Sequence, residues 1–196
     1  MKKLIKQILE QYIEEDIKDD LKWRDVQTKK GDGKKIHTSV FFTEKFKYIV
    51  EVEEYNNHFY LVSFYPKLNK DWYDKQLTRK MYGQNYLDKY SYRTNENSPY
   101  KVLGVLTEHI KDIIDKDPYA SFGYFGAPDR KTDNDEDIFD TQRFRVYNEL
   151  LSKRLSNTHT LKTEPEYSGA VFINKDVESH YPNIVNYAID ILKSHL

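Results

Sequence analysis

Residues 46–53 read FKYIVEVE, so that Phe46, Tyr48, Val50 and Val52 alternate with Lys47, Ile49, Glu51 and Glu53. A period of two puts one set of side chains on a buried face and the other set on the opposite face, which is the pattern of a strand in a sheet. Further β segments are expected at 38–43 and 58–65. Asn56-Asn57 supplies the turn before the third of them, since Asn tolerates positive φ, and Pro66 ends it. Together the three segments predict an antiparallel meander.

Farther along the chain the period changes. After Pro99, the residues Val102, Leu103, Val105, Leu106, His109, Ile110, Ile113 and Ile114 recur at helical spacing, and the helix should stop before Asp117-Pro118. Residues 121–125 are a continuous apolar run of strand length, as in a central strand covered on both faces. After an acidic loop, Asp140 or Thr141 can cap a helix reaching about Leu155. Residues 169–173 form another buried strand, and Pro182 stands at a helix start ahead of Ile184, Val185, Ala188, Ile189 and Leu192.

At the N-terminus, Leu4, Ile5, Ile8, Leu9, Tyr12, Ile13 and Ile17 trace an amphipathic helix. Residues 23–35, rich in lysine and glycine towards their end, read as an exposed loop. The expected fold class is α+β: a mixed, mostly antiparallel sheet, made of the three-strand meander plus two further strands and flanked by helices. The 196 residues suit one domain, with an irregular tyrosine-rich insert at about 67–100.

Charge and cysteine content narrow the function classes. Lys+Arg 31 against Asp+Glu 32 leaves a net charge of -1, so no global field draws the chain to nucleic acid or to an anionic membrane. With no cysteine there is no disulfide scaffold, zinc-thiolate site or thiol nucleophile, which suits the cytoplasm. The basic start resembles a signal peptide, but Lys6, Gln7, Glu10 and Gln11 interrupt the apolar residues before an export signal is complete. No run approaches the roughly 18 apolar residues that cross a bilayer. A soluble, cytoplasmic protein is expected.

The candidate site lies in ASFGYFGAPDRKTDNDEDIFDTQRFRVYNELLSKRL, residues 120–155. On a helical wheel Phe144, Val146, Tyr147, Leu150, Leu151 and Leu155 share one arc; Arg143 and Arg154 fall inside it and Arg145 outside. An inward guanidinium needs a partner, and Asp129, Asp133, Asp135, Glu136, Asp137 and Asp140 are the nearest supply. A structural ion pair that pins the loop is the preferred reading. The functional alternative has Arg143 and Tyr147 facing a groove at the carboxyl end of the strand that ends at Phe125.

Asp133, Asp135 and Asp137 are spaced as in a calcium loop, but the required Gly and distal Glu are absent at the right offsets. His109 reads as a core or boundary histidine, while His37, His58, His159, His180 and His195 are scattered, so no metal site is expected. Nothing resembles a phosphate-cradling glycine loop or a nucleophile elbow. In the insert, Trp72, Tyr73, Tyr82, Tyr86 and Tyr90 stand among seven basic and four acidic residues. That excess is modest for a nucleic-acid surface, so the aromatics are read as anchors for a protein partner or for self-association.

Three antiparallel strands followed by helix, strand, helix and strand resemble the core of the GNAT acyltransferase fold, over roughly residues 38–173. That resemblance implies acyl-CoA as donor and Tyr147, in TQRFRVYNELL, as a general acid on the helix after the fifth strand. It also implies a Q/R-x-x-G-x-G/A turn at the start of the central helix, for the donor's pyrophosphate. This chain has Ser98-Pro99-Tyr100-Lys101-Val102-Leu103-Gly104 there instead, and Arg79 with Gly83 has the wrong spacing. The leading expectation is therefore a non-enzymatic protein acting through protein contact, with a GNAT-like N-acyltransferase as the alternative.

Overall fold

A computed structural model describes residues 23–27, 35–43, 46–68, 99–125, 142–164, 166 and 168–195. The first helix expected at Leu4 to Ile17, the insert with Trp72, Tyr73, Tyr82, Tyr86 and Tyr90, and the acidic loop lie outside them. Of Arg143 and Val146 only the backbone is described.

The described residues form seven strands and four helices. In chain order they are β1 (Trp23–Gln27), β2 (Lys35–Phe42), β3 (Lys47–Tyr55), β4 (Phe59–Pro66), α1 (Pro99–Lys116), β5 (Ser121–Phe125), α2 (Gln142–Leu155), β6 (His159–Glu164), β7 (Gly169–Asn174), α3 (Lys175–His180) and α4 (Ile184–Lys193). One sheet has the order β1-β2-β3-β4-β5-β7-β6. Every neighbouring pair is antiparallel except β4 and β5, which run parallel and are joined by α1 as a crossover. The fold is α+β with a mixed, mostly antiparallel sheet.

The meander is as expected, with β2, β3 and β4 in continuous register from Lys35↔Glu54 to Phe42↔Lys47 and from Tyr48↔Pro66 to Tyr55↔Phe59. Its turn takes positive φ at Asn57 (58°) and His58 (59°). Asn57 adopts that conformation readily; His58 is held there while Nδ1 bonds Asp117 Oδ2 at 2.9 Å.

Three assignments are corrected. Residues 23–27, read as part of an exposed loop, form β1 and pair with β2. The strand β6 and the short helix α3 were also missed. Both extra strands are the terminal strands of the sheet order, and WRDVQ and HTLKTE carry no strong apolar alternation. The sheet therefore has two strands more than the five expected. In α3 the missed signal was its cap, Asn174 Oδ1 accepting Asp176 N–H at 2.9 Å.

Two cores sandwich the sheet. On one face α1 contributes Val102, Leu103, Val105, Leu106, Ile110 and Ile113, and α2 contributes Phe144 and Leu155, against Phe41, Val50, Val52, Phe122 and Phe172. On the other, Val177 of α3 and Ile184, Ala188 and Leu192 of α4 cover Phe59, Leu61, Val171 and Ile173. The four-residue spacing in α4 is a single inward stripe. The wheel for α2 holds for Phe144 and Leu155, which are buried, and for Arg145, which is exposed; Arg154, placed in the inward arc, is instead exposed in the last turn. A long charged side chain at a helix end reaches water at little cost.

Candidate functional site

The parallel pairing of β4 with β5 is short. It runs Phe59↔Ser121, Tyr60↔Phe122 and Leu61↔Gly123, and no further pairing joins the two strands among the described residues. Beyond that point β4 continues from Val62 to Pro66 in register with β3, while Tyr124 and Phe125 of β5 stay in register with β7. The two strands are paired at one end of this seam and, among the described residues, unpaired at the other, the parted end, from which both strands lead towards α1 and α2.

At the last closed pair, Gly123 is required by packing. A Cβ there would stand 2.7 Å from Phe59 Cζ and 3.4 Å from Leu192 Cδ2, so the Phe59 ring lies across the strand where any side chain would be. Past it, three aromatic rings gather on the α1/α2 face. The half-buried Tyr147 of α2 sits 5.7 Å from Phe64 on β4 and 5.8 Å from Tyr124 on β5, measured between ring centroids. Tyr147 thus bridges the two strands beyond the closed pairs, touching β4 at Phe64, two residues past Val62, and β5 at Tyr124. Tyr124 also packs on Phe172 and Phe144, and its hydroxyl donates to Asn148 Oδ1. Burial, and then the neighbouring Tyr147, push its pKa up, so Tyr124 stays a donor.

The opposite face of the parted strands is polar. Tyr65, buried on β4, donates its hydroxyl to Glu51 Oε2 at 2.8 Å, across the β3–β4 ladder. Ser63 Oγ donates to the Glu51 carbonyl at 3.4 Å. Alternation puts Glu51, Ser63 and Tyr65 on one side of the sheet and Phe64, Tyr124 and Tyr147 on the other. A carboxylate and a phenol therefore flank the parted strands from opposite faces.

Buried polar groups elsewhere have structural partners. His109, the expected core histidine, is 1% exposed and its Nε2 lies 2.7 Å from Ser39 Oγ. Burial drives its pKa from 6.5 down to about 4, against the smaller upward pull of Asp112 and Glu108. Ser121 Oγ accepts Asn174 N–H at 3.0 Å, Asn174 Nδ2 donates to Pro118 O at 2.9 Å, and His159 Nε2 lies 2.8 Å from Ala120 O. Burial lowers the pKa of His159 too. Among the described residues no three His, Asp or Glu side chains are grouped to hold a metal, and no helix is long and apolar enough to cross a membrane.

Of the residues picked from the sequence, Tyr147 is at the parted strands and Arg143 is in the first turn of α2, its side chain outside the described residues. Tyr124, Asn148, Glu51, Ser63 and Tyr65 were not anticipated. Glu51 and Tyr65 are fourteen residues apart in sequence and meet only through strand register. Asn148 was findable as the polar neighbour of Tyr147 on α2. No family model matches this chain, and no curated protein and no solved structure matches it.

Proposed function

We propose that the parted strands receive the extended arm of an acyl thioester and that the chain is a GNAT-like N-acyltransferase. What supports this reading is the end of β4–β5 pairing after Leu61 and Gly123, with the Tyr147 ring set between Phe64 and Tyr124. Strand edges that have separated offer backbone donors and acceptors to an amide-bearing chain, as a sheet offers them to another strand. Support is also drawn from the helices that follow both β4 and β5 in a seven-stranded mixed sheet.

The residues divide the chemistry between the two faces. An amine nitrogen attacks the thioester carbonyl carbon, the C–N bond forms, and the C–S bond breaks with its electron pair leaving on sulfur. In this reading the Tyr147 hydroxyl gives that sulfur a proton, and the Glu51 carboxylate, which accepts the Tyr65 hydroxyl, takes the one the nitrogen loses. Calorimetry with acetyl-CoA and with S-acetyl-pantetheine tests the reading: either donor should bind, and Tyr147→Phe should retain binding while slowing transfer. Absence of binding by both at millimolar donor overturns it. Protein contact through Trp72, Tyr73, Tyr82, Tyr86 and Tyr90 stays a second reading, carried by composition alone and tested by pull-down.

A further inference from the structure

The cleft suits the arm of a thioester better than it suits a nucleotide. Pro99 is the first residue of α1, where a diphosphate would be cradled by backbone N–H groups, and proline has none to give. No glycine lies between Ser98 and Leu103 to let the backbone close on a phosphate. The end of the cleft instead meets a surface that is basic and aromatic. Three chain ends line up there through register: Phe42 pairs with Lys47, Tyr48 pairs with Pro66, and Lys67 N–H donates to Lys47 O at 2.7 Å.

Phe42 is 45% exposed, one of three large hydrophobic side chains exposed among the described residues, and the Lys47 ammonium lies 5.4 Å from its ring centroid. Lys67, directly after the last residue of β4, is exposed. One cation over an open aromatic ring, with a second lysine exposed at the end of the neighbouring strand, fits a partner that presents carboxylates around an apolar spot.

Resting on the acyltransferase reading, we infer that the acyl donor comes on an acidic carrier protein, whose pantetheine arm enters between β4 and β5 while its body docks on Phe42, Lys47 and Lys67. The carrier supplies by protein contact the anchorage that a nucleotide would otherwise take from the turn before α1. Only the thioester arm is shared between the two donor types, so the surface should matter for one and not the other.

The test titrates the full chain with three probes: an acetylated acyl carrier protein, acetyl-CoA and S-acetyl-pantetheine. The carrier should bind at least about tenfold tighter than acetyl-CoA and weaken as salt rises. A Lys47→Glu/Lys67→Glu variant with an unchanged melting temperature should lose about tenfold for the carrier and nothing for S-acetyl-pantetheine. Acetyl-CoA binding as tightly as the carrier, or a double variant indifferent to it, overturns the docking surface and leaves the acyltransferase reading standing. Failure of all three donors overturns both.

Discussion

The two ends of the β4–β5 seam are built differently, although the same two strands form both. At the closed end Phe59 is fully buried and lies across Gly123, and the buried polar groups Ser121, Asn174 and His159 bond to backbone. Past the last pair Tyr65 bonds Glu51 and Tyr124 bonds Asn148, side chain to side chain, and Ser63 donates to the Glu51 carbonyl, while the closed end also holds a side-chain group in which His58 and Tyr60 meet Asp117. What separates the two ends is strand pairing: β4 and β5 are hydrogen-bonded neighbours from Phe59↔Ser121 to Leu61↔Gly123, and no pairing joins them beyond it among the described residues.

The largest expected effect tests the closed end. Phe59→Ala should cost about 3–5 kcal/mol in urea unfolding, because a fully buried ring leaves a cavity between β5 and α4. Phe64→Ala, removing a partly buried ring, should cost less; equal losses would mean that the two ends are packed alike.

Acid comes next, acting through the buried His109 of α1, in the core shared by both ends. Its pKa of about 4 in the fold is below the 6.5 of an exposed histidine. Between these values the unfolded chain binds the proton and the folded chain does not. Stability is therefore complete above pH 6.5 and falls as pH drops towards 4, by about 3 kcal/mol over that window. Thermal melts across this range should show the loss, and His109→Gln should flatten it.

Gly123→Ala should cost about 1–3 kcal/mol, since the methyl group meets the Phe59 ring. Double-mutant cycles with Phe59→Leu should show coupling at this seam, and additivity would argue against the close approach. Tyr124→Phe leaves Asn148 Oδ1 without its phenolic donor and should cost about 1 kcal/mol by chemical denaturation. A change in stability of no more than about 1 kcal/mol is expected for Tyr147→Phe, because the half-buried ring and its packing on Phe64 and Tyr124 remain. A loss of acyl transfer with so small a change in folding would separate function from packing at the parted end.

Legibility follows the range of the interactions. The strand at 46–53 and the helix after Pro99 were readable because their periodicity is local and their burial deep. The terminal strands β1 and β6 were not, because WRDVQ and HTLKTE mix polar and apolar residues without the alternation of a strand that has one buried face. Tyr147 was picked out by its helical face, whereas Glu51 looked like an ordinary outward residue of an alternating strand. Its proximity to Tyr65 depends on which residues of β3 and β4 are opposite each other.

By itself, then, the sequence determined the α+β class, the meander and the inward faces of α1 and α2, since period and burial are properties of a few consecutive residues. Only the tertiary structure decided where β4 and β5 part and what gathers there. A phenol from α2, a second from β5 and a carboxylate from β3 come from distant stretches of the chain, and no local pattern encodes a gap between two strands whose pairing is set by the crossover that joins them.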